Sequence, residues 1–277
     1  MPELPEVETV KEVLKGQILG HRIDDVKIYH KKMIKTGEAK EFSRLLIGQK
    51  VADIKRRGKY LIFELEDYYL LSHLRMEGKF FYGEGTDVKD KHVHAEFLLS
   101  DGQRLKYEDV RKFGTFHLYE KSVDLESTPS FQVLGVEPFD EAFTATYVQG
   151  LLENRKIPIK PMLLTQKIVT GLGNIYVDEV LFASKIHPLK KSGDLTRDDL
   201  ENVVNYTREI LSRAIKYKGT TIRTFASTHG SDGGFQNFLQ VHTKKDQPCP
   251  HCQTVIQKIK VGGRGTYFCV TCQPTPS

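Results

Sequence analysis

At 277 residues the chain is long enough for one large or two medium domains with a sizeable core. Hydrophobic content of 39% and charged content of 28% describe a soluble globular chain, expected in the cytoplasm, with no apolar run near a membrane span and no signal-peptide pattern. The formal net charge of +5 is compatible with a polyanionic partner without identifying one.

The chain opens Met1-Pro2-Glu3-Leu4-Pro5-Glu6. An initiator Met before Pro is normally trimmed, which would leave the secondary amine of Pro2 beside two carboxylates. An α-amine titrates near ~7.7–8.0, so much of it is free base near neutrality, far more than for Lys near ~10.4. Such an amine can attack a sugar C1′ or a carbonyl carbon and form an iminium. Pro5 fits the first helical turn, Val7, Val10 and Leu14 share a face, and Gly16 is expected to end the helix. An ordinary amphipathic helix with a frayed start accounts for the same residues.

The first half reads as β structure. Strand patterns cover 22–30, 59–65, 69–72, 94–99, 104–107 and 113–119, with a helix over 38–47 and a two-residue hairpin turn at Asp101-Gly102. Short strands with regular turn residues imply a sandwich or barrel. Lys55-Arg56-Arg57-Gly58-Lys59 is either a solvated turn or a phosphate-contacting loop. His73-Leu74-Arg75-Met76-Glu77-Gly78 and Asp109-Val110-Arg111-Lys112-Phe113-Gly114 each set apolar side chains among cations beside a glycine. Met and Phe are ordinarily core residues; they also serve as wedges between base steps.

An irregular linker is expected over 120–140. Phe143, Tyr147 and Leu151 recur at helical spacing. Thr196 and Asp199 form a capping box for a helix with the stripe Leu200, Val203, Val204, Thr207, Leu211, Ala214, Ile215. Gly171-Leu172-Gly173-Asn174 opens another helix; its bare N–H groups suit an anion, although glycine-rich helix joints also arise for packing alone. The stretch 218–236, rich in Gly, Ser and Thr, is a lid or an interdomain linker.

All four cysteines lie from position 249 onward, as Cys249-x2-Cys252-x16-Cys269-x2-Cys272. This is the spacing of two Cys knuckles around one structural Zn²⁺, with a redox pair or disulfides as alternatives. The insert reads as a hairpin with Arg264 among glycines at its tip, placed for a phosphate contact.

In order, these motifs resemble the formamidopyrimidine-DNA glycosylase family over essentially the whole chain. The resemblance implies an α+β fold: an N-terminal β-sandwich (1–130), a helix–two-turn–helix domain (131–240) with a lesion-capping loop (218–236), and a four-Cys zinc ribbon (241–277). It implies a monomeric base-excision repair enzyme, glycosylase and lyase in one, that removes oxidised purines from damaged double-stranded DNA. Pro2 would be the nucleophile, Glu3 the general acid/base and Glu6 the support of the amine, with Lys59 and Arg264 also in the catalytic set. His73, Met76, Arg111, Phe113, Lys160, Asn174, Tyr176 and Arg264 would contact DNA; Met76, Arg111 and Phe113 would fill the vacated stack. Glu77, Thr221 and Arg223 would border the everted base. Leu4 points to the purine-directed branch; the alternatives are a pyrimidine-directed relative, a non-catalytic zinc-ribbon DNA-binding protein, or an enzyme whose nucleophile is Lys59. Two departures stand out: His242-Thr243-Lys244 where the family usually has Tyr-Gly-Arg, and Gly135-Val136-Glu137-Pro138 for Gly-Pro-Glu-Pro.

Overall fold

The computed structural model describes residues 1–84, 90–220 and 233–275. The chain divides into two compact units: Met1–Thr128 with Lys218–Gly233, and Pro129–Tyr217 with Gly234–Ser277.

In the first unit, helix α1 spans Leu4–Ile18, with Glu3 and Glu6 as the N-cap and N3 residues of a capping box. It runs through Gly16 instead of stopping there. Ile18 continues the apolar stripe one turn beyond Leu14 and is 1% exposed, so burial outweighs the roughly 1 kcal/mol helical cost of glycine. The strands are β1 (Ile23–Ile28), β2 (Val51–Arg57), β3 (Tyr60–Leu65), β4 (Tyr68–His73), β5 (Lys79–Tyr82), β6 (Val93–Leu99), β7 (Arg104–Glu108) and β8 (Thr115–Glu120), with α2 at Ala39–Leu46. They form two antiparallel four-stranded sheets, ordered β1-β6-β7-β5 and β2-β3-β4-β8. Residues from both sheets and from α1 and α2 share one core, in which Phe116 packs against Phe42, Phe80, Phe97 and Tyr107. This is the expected sandwich.

Two boundaries differ from the sequence pattern. Leu99 N–H donates to Gln103 O, so the β6–β7 turn is one residue longer than Asp101-Gly102, with Gly102 at φ +81°. Strand β8 starts at Thr115, not Phe113, which leaves the Phe113 ring outside the sheet and 52% exposed.

In the second unit, α3 (Ala145–Leu152), α4 (Ile159–Leu164), α5 (Asn174–Ala183) and α6 (Arg197–Lys216) precede the hairpin β9 (Gln257–Val261) and β10 (Arg264–Phe268). The helical spacing read at 143–151 is met by α3, which buries Ala145, Val148 and Leu152; Phe143, itself buried, precedes the helix, and Leu151 is exposed. Helix α6 starts at the Thr196–Asp199 capping box and buries the expected stripe plus Ile210, with Ile215 at its edge. Helix α5 packs on both α6 and β10. No helix among the described residues is long and apolar enough to cross a membrane.

Candidate functional site

The start of α1 is tied at both ends of one carboxylate. Glu6 Oε2 accepts the Glu3 N–H at 2.9 Å; Oε1 accepts the Thr220 N–H at 2.8 Å and the Thr220 hydroxyl at 3.1 Å. Glu3 and Glu6 are 2% and 5% exposed, and Pro2 is half-buried beside them. Gly219 has φ +76°, and a Cβ there would lie 2.5 Å from Glu6 Oε1, so only glycine lets this strand of the loop stem approach the carboxylate. Glu6 therefore bridges the N-terminal helix and the stem of the 218–236 loop. Thr221 and Arg223, expected at the everted base, lie outside the described residues.

The cationic run at the β2–β3 turn is mostly neutralised. Lys55 pairs with Glu64 (2.7 Å), Arg56 with Glu8 (2.7 Å) and Arg57 with Glu126 (2.9 Å). Lys59 follows Gly58, which has φ +58°, and is buried. His73, at the end of β4, is buried with its ring edge-on to Tyr60 at 4.6 Å. Burial first, then the charges of Arg75, Lys59 and His117, push its imidazole down to about 3. The neutral ring accepts the Arg75 N–H at Nδ1 (2.9 Å), which places the proton on Nε2 as a hydrogen-bond donor.

Beyond His73, Arg75 is held at φ 54°, with Met76 and Glu77 half-buried. The companion turn after β7 is built around the buried carboxylate of Asp109, a role its place in the sequence motif does not announce. Asp109 accepts the N–H groups of Arg111 (3.0 Å), Phe113 (2.8 Å) and Gly114 (2.7 Å), and its carbonyl meets His94 Nε2 at 2.7 Å. The signal available was an Asp opening a glycine-ended turn. The outcome is an exposed tip with Lys112 at φ 58° and the Arg111 guanidinium 4.8 Å from the centre of the Phe113 ring.

The second unit assembles the remaining predicted residues around α5. Gly173 is its N-cap, and Asn174 donates from Nδ2 to Gly265 O at 3.0 Å. Lys160, expected among the DNA contacts, is 0% exposed: its ammonium sits 2.7 Å from Asp178 Oδ1 and donates to the same Gly265 carbonyl at 3.0 Å. Asp178 Oδ2 meets His242 Nδ1 at 2.8 Å, and Glu179 accepts the N–H groups of Gln240, Val241 and His242 at 2.8, 3.0 and 2.8 Å. Tyr176 is fully buried, its ring 5.8 Å from that of Phe235. Arg264 is exposed at the start of β10, after the positive-φ glycines Gly262 and Gly263. Asp178 and Glu179 lie one turn beyond the Gly171–Asn174 motif, and two adjacent acids in a helix that buries both faces are the signal that points to them.

The four Cys Sγ atoms lie within 4.8 Å of one another, with Cys249–Cys272 at 3.8 Å, Cys252–Cys269 at 3.4 Å and Cys252–Cys272 at 3.5 Å. Tetrahedral Zn–S bonds of ~2.3 Å imply edges of about 3.8 Å, so the donor set and its size fit one Zn²⁺. A divalent cation would offset the burial that pushes the Cys269 thiol up.

A β-sandwich with two apolar-tipped turns, a glycine-opened helix pair and a zinc ribbon with an exposed arginine define a DNA-binding protein of the helix–two-turn–helix class. Known proteins agree. The formamidopyrimidine-DNA glycosylase N-terminal domain matches residues 1–116, the H2TH domain of the same glycosylase 134–226, and the zinc finger found in FPG and IleRS 246–275. Formamidopyrimidine-DNA glycosylase of Bacillus cereus is 46% identical over 275 residues, 99% of each chain, and that of Exiguobacterium sibiricum 48% identical over 274 residues, again 99% of each. Among solved structures, a Lactococcus lactis FPG mutant with Fapy-dG-containing DNA superposes with TM-score 0.92 at 42% identity, covering 99% of this chain and 100% of the other. The L. lactis Fpg complex with abasic-site DNA gives 0.91 at the same identity, with 99% and 100% covered. The chain belongs to the formamidopyrimidine-DNA glycosylase family.

Proposed function

We propose that this protein is a bifunctional DNA glycosylase and abasic-site lyase that excises oxidised purines from damaged double-stranded DNA. The observation that carries the reading is the buried pair Glu3 and Glu6 just after Pro2 at a capped helix start, in a chain of this family. Pro2, once Met1 is removed, attacks C1′ as the glycosidic bond breaks and the base leaves with the electron pair and a proton. The result is an iminium between Pro2 and the opened sugar. Glu3 moves the protons: it assists ring opening and then takes a proton from C2′, so that the 3′ phosphate leaves. A second elimination releases the 5′ phosphate, and hydrolysis frees the amine.

Lys59, with the neutral His73 donating from Nε2, and Arg264 hold the phosphates around the lesion. Asn174 and Lys160 act there through the Gly265 carbonyl that fixes Arg264. Met76, Arg111 and Phe113 fill the space left by the everted nucleotide. Glu77, Thr221 and Arg223 border the base. Cys249, Cys252, Cys269 and Cys272 hold a zinc ion that stiffens the hairpin and takes no part in the chemistry. The work divides by segment: 1–130 carries the chemistry, 131–240 and 241–277 the grip on DNA, on the chromosome of a bacterial cytoplasm.

Borohydride trapping on a duplex with 8-oxoguanine opposite cytosine tests this. A covalent adduct mapping to Pro2 is expected, lost when the N-terminal amine is blocked and retained in Lys59→Ala. An adduct at Lys59 makes that lysine the nucleophile; no adduct leaves a DNA-binding protein without catalysis.

A further inference from the structure

The turns that carry Met76 and the Arg111–Phe113 pair each cross from one sheet to the other, β4 to β5 and β7 to β8, and both end on one atom. Gly78 closes the first and Gly114 the second, and both are buried. A Cβ on either glycine would overlap the Tyr107 hydroxyl; at Gly114 it would also lie 2.8 Å from the ring carbon bearing that oxygen. The phenol tip thus fills the slot between two bare backbones.

Tyr107 lies in β7 and is 1% exposed, with its ring against Phe80 (5.1 Å) and Phe116 (5.0 Å). Its hydroxyl has no hydrogen-bond partner among the described residues. A buried hydroxyl without a partner destabilises relative to the hydrocarbon ring, and phenylalanine would keep every ring contact. Among the described residues the oxygen therefore contributes volume, not a hydrogen bond. Both turns need such support, because each holds a non-glycine residue at positive φ, Arg75 at 54° and Lys112 at 58°, and each presents an exposed or half-buried side chain to solvent.

We infer that Tyr107 is a positioning residue for lesion recognition: its hydroxyl is the spacer that sets the separation of the two wedge turns. The inference rests on the wedge role proposed for Met76, Arg111 and Phe113. Loosening a positioned group away from the chemistry slows the step that needs it, here base eversion, and spares a substrate that has already lost its base.

The experiment compares zinc-loaded full-length wild type, Tyr107→Phe, Met76→Ala and Phe113→Ala in single-turnover cleavage. The duplexes carry 8-oxoguanine opposite cytosine, 8-oxoguanine opposite adenine, or an abasic site opposite cytosine. For Tyr107→Phe the expected result is a melting temperature at or above wild type. Excision of 8-oxoguanine opposite cytosine falls about tenfold, a narrower preference for cytosine over adenine appears, and abasic-site cleavage stays within about twofold. If Met76→Ala and Phe113→Ala excise at the wild-type rate, the wedge reading fails and takes this inference with it. If they are slow while Tyr107→Phe is not, the spacer alone is overturned. An equal loss on all three duplexes with a lower melting temperature also overturns it, since that is the mark of a general packing defect.

Discussion

Glu6 performs two tasks with one carboxylate, and its replacement separates them. Oε2 serves the Glu3 N–H and Oε1 the Thr220 N–H and hydroxyl. A glutamine has one acceptor oxygen. If that oxygen faces Thr220, the amide N–H₂ confronts the Glu3 N–H; if it faces Glu3, the Thr220 N–H is orphaned. Either way one buried backbone donor loses a charged acceptor, a cost of about 1.5–3 kcal/mol. The cost falls on the helix start or on the loop stem, both regions that can open locally, so the melting temperature should move less than catalysis does. Single-turnover excision in Glu6→Gln is expected to drop about tenfold to a hundredfold, the rate equivalent of that energy. Glu6→Asp keeps the charge but is a methylene too short to span both sides, and should lose about as much. Thr220→Ala removes only the hydroxyl contact and should cost less than either. Wild-type excision by Glu6→Asp would refute the bridge, because charge without reach would then suffice.

Four further outcomes follow. Lys160→Met leaves the buried Asp178 with His242 and the Tyr267 N–H as its remaining partners among the described residues, and should destabilise by about 3–5 kcal/mol in denaturant melts; Lys160→Met/Asp178→Asn should recover part of it. His73 has a folded pKa of about 3 against an ordinary 6.5, so the unfolded chain binds the extra proton in that window and stability falls as pH drops through it. The full loss is about 5 kcal/mol, and His73→Gln should flatten the acid limb of stability against pH, leaving a residual slope from His117, whose burial holds it near 4. Chelation in denaturant should release one Zn²⁺ per chain, measured with a metallochromic dye; a metal-free protein whose thiols resist iodoacetamide would contradict the ribbon. Arg264→Ala should weaken binding to all sequences and lower the salt slope by about one ion.

What the sequence disclosed depended on whether the signal was local. The capping box at Thr196, the Gly173 helix start and the Cys spacing are each settled within a few residues, and each appears where the pattern placed it. Gly16 misled because its neighbour Ile18 had a core to reach, and the Phe143–Leu151 pattern gave the helical spacing without showing which face meets the rest of the fold. The cations at 55–57 could not be read as paired, since Glu64 and Glu8 approach them only once β3 and α1 are in place. The strand pattern at 113–119 takes in Phe113, whereas Asp109 gathers the backbone of 111–114 into a turn and leaves the ring exposed.

The departure at His242 acquires a physical meaning from α5. Asp178 and Glu179 are consecutive, so on a helix their side chains diverge by about 100° and reach different neighbours. Glu179 takes three backbone N–H groups from 240–242, and Asp178 takes Lys160, the His242 imidazole and the Tyr267 N–H. One helical turn therefore orders the chain entering the ribbon and the strand that carries Arg264. A tyrosine at 242 could donate its hydroxyl to a phosphate, but it offers no ring nitrogen to Asp178. The imidazole donates to Asp178 through Nδ1–H, which leaves Nε2 of the neutral ring an acceptor, so His242 secures the ribbon and offers a phosphate a donor only as the imidazolium. If that is its part, His242→Phe should lower both the melting temperature and DNA affinity, whereas His242→Asn, which retains a short amide donor toward Asp178, should restore the first more than the second. Equal recovery of both would mean that position 242 influences DNA only through the stability of the ribbon.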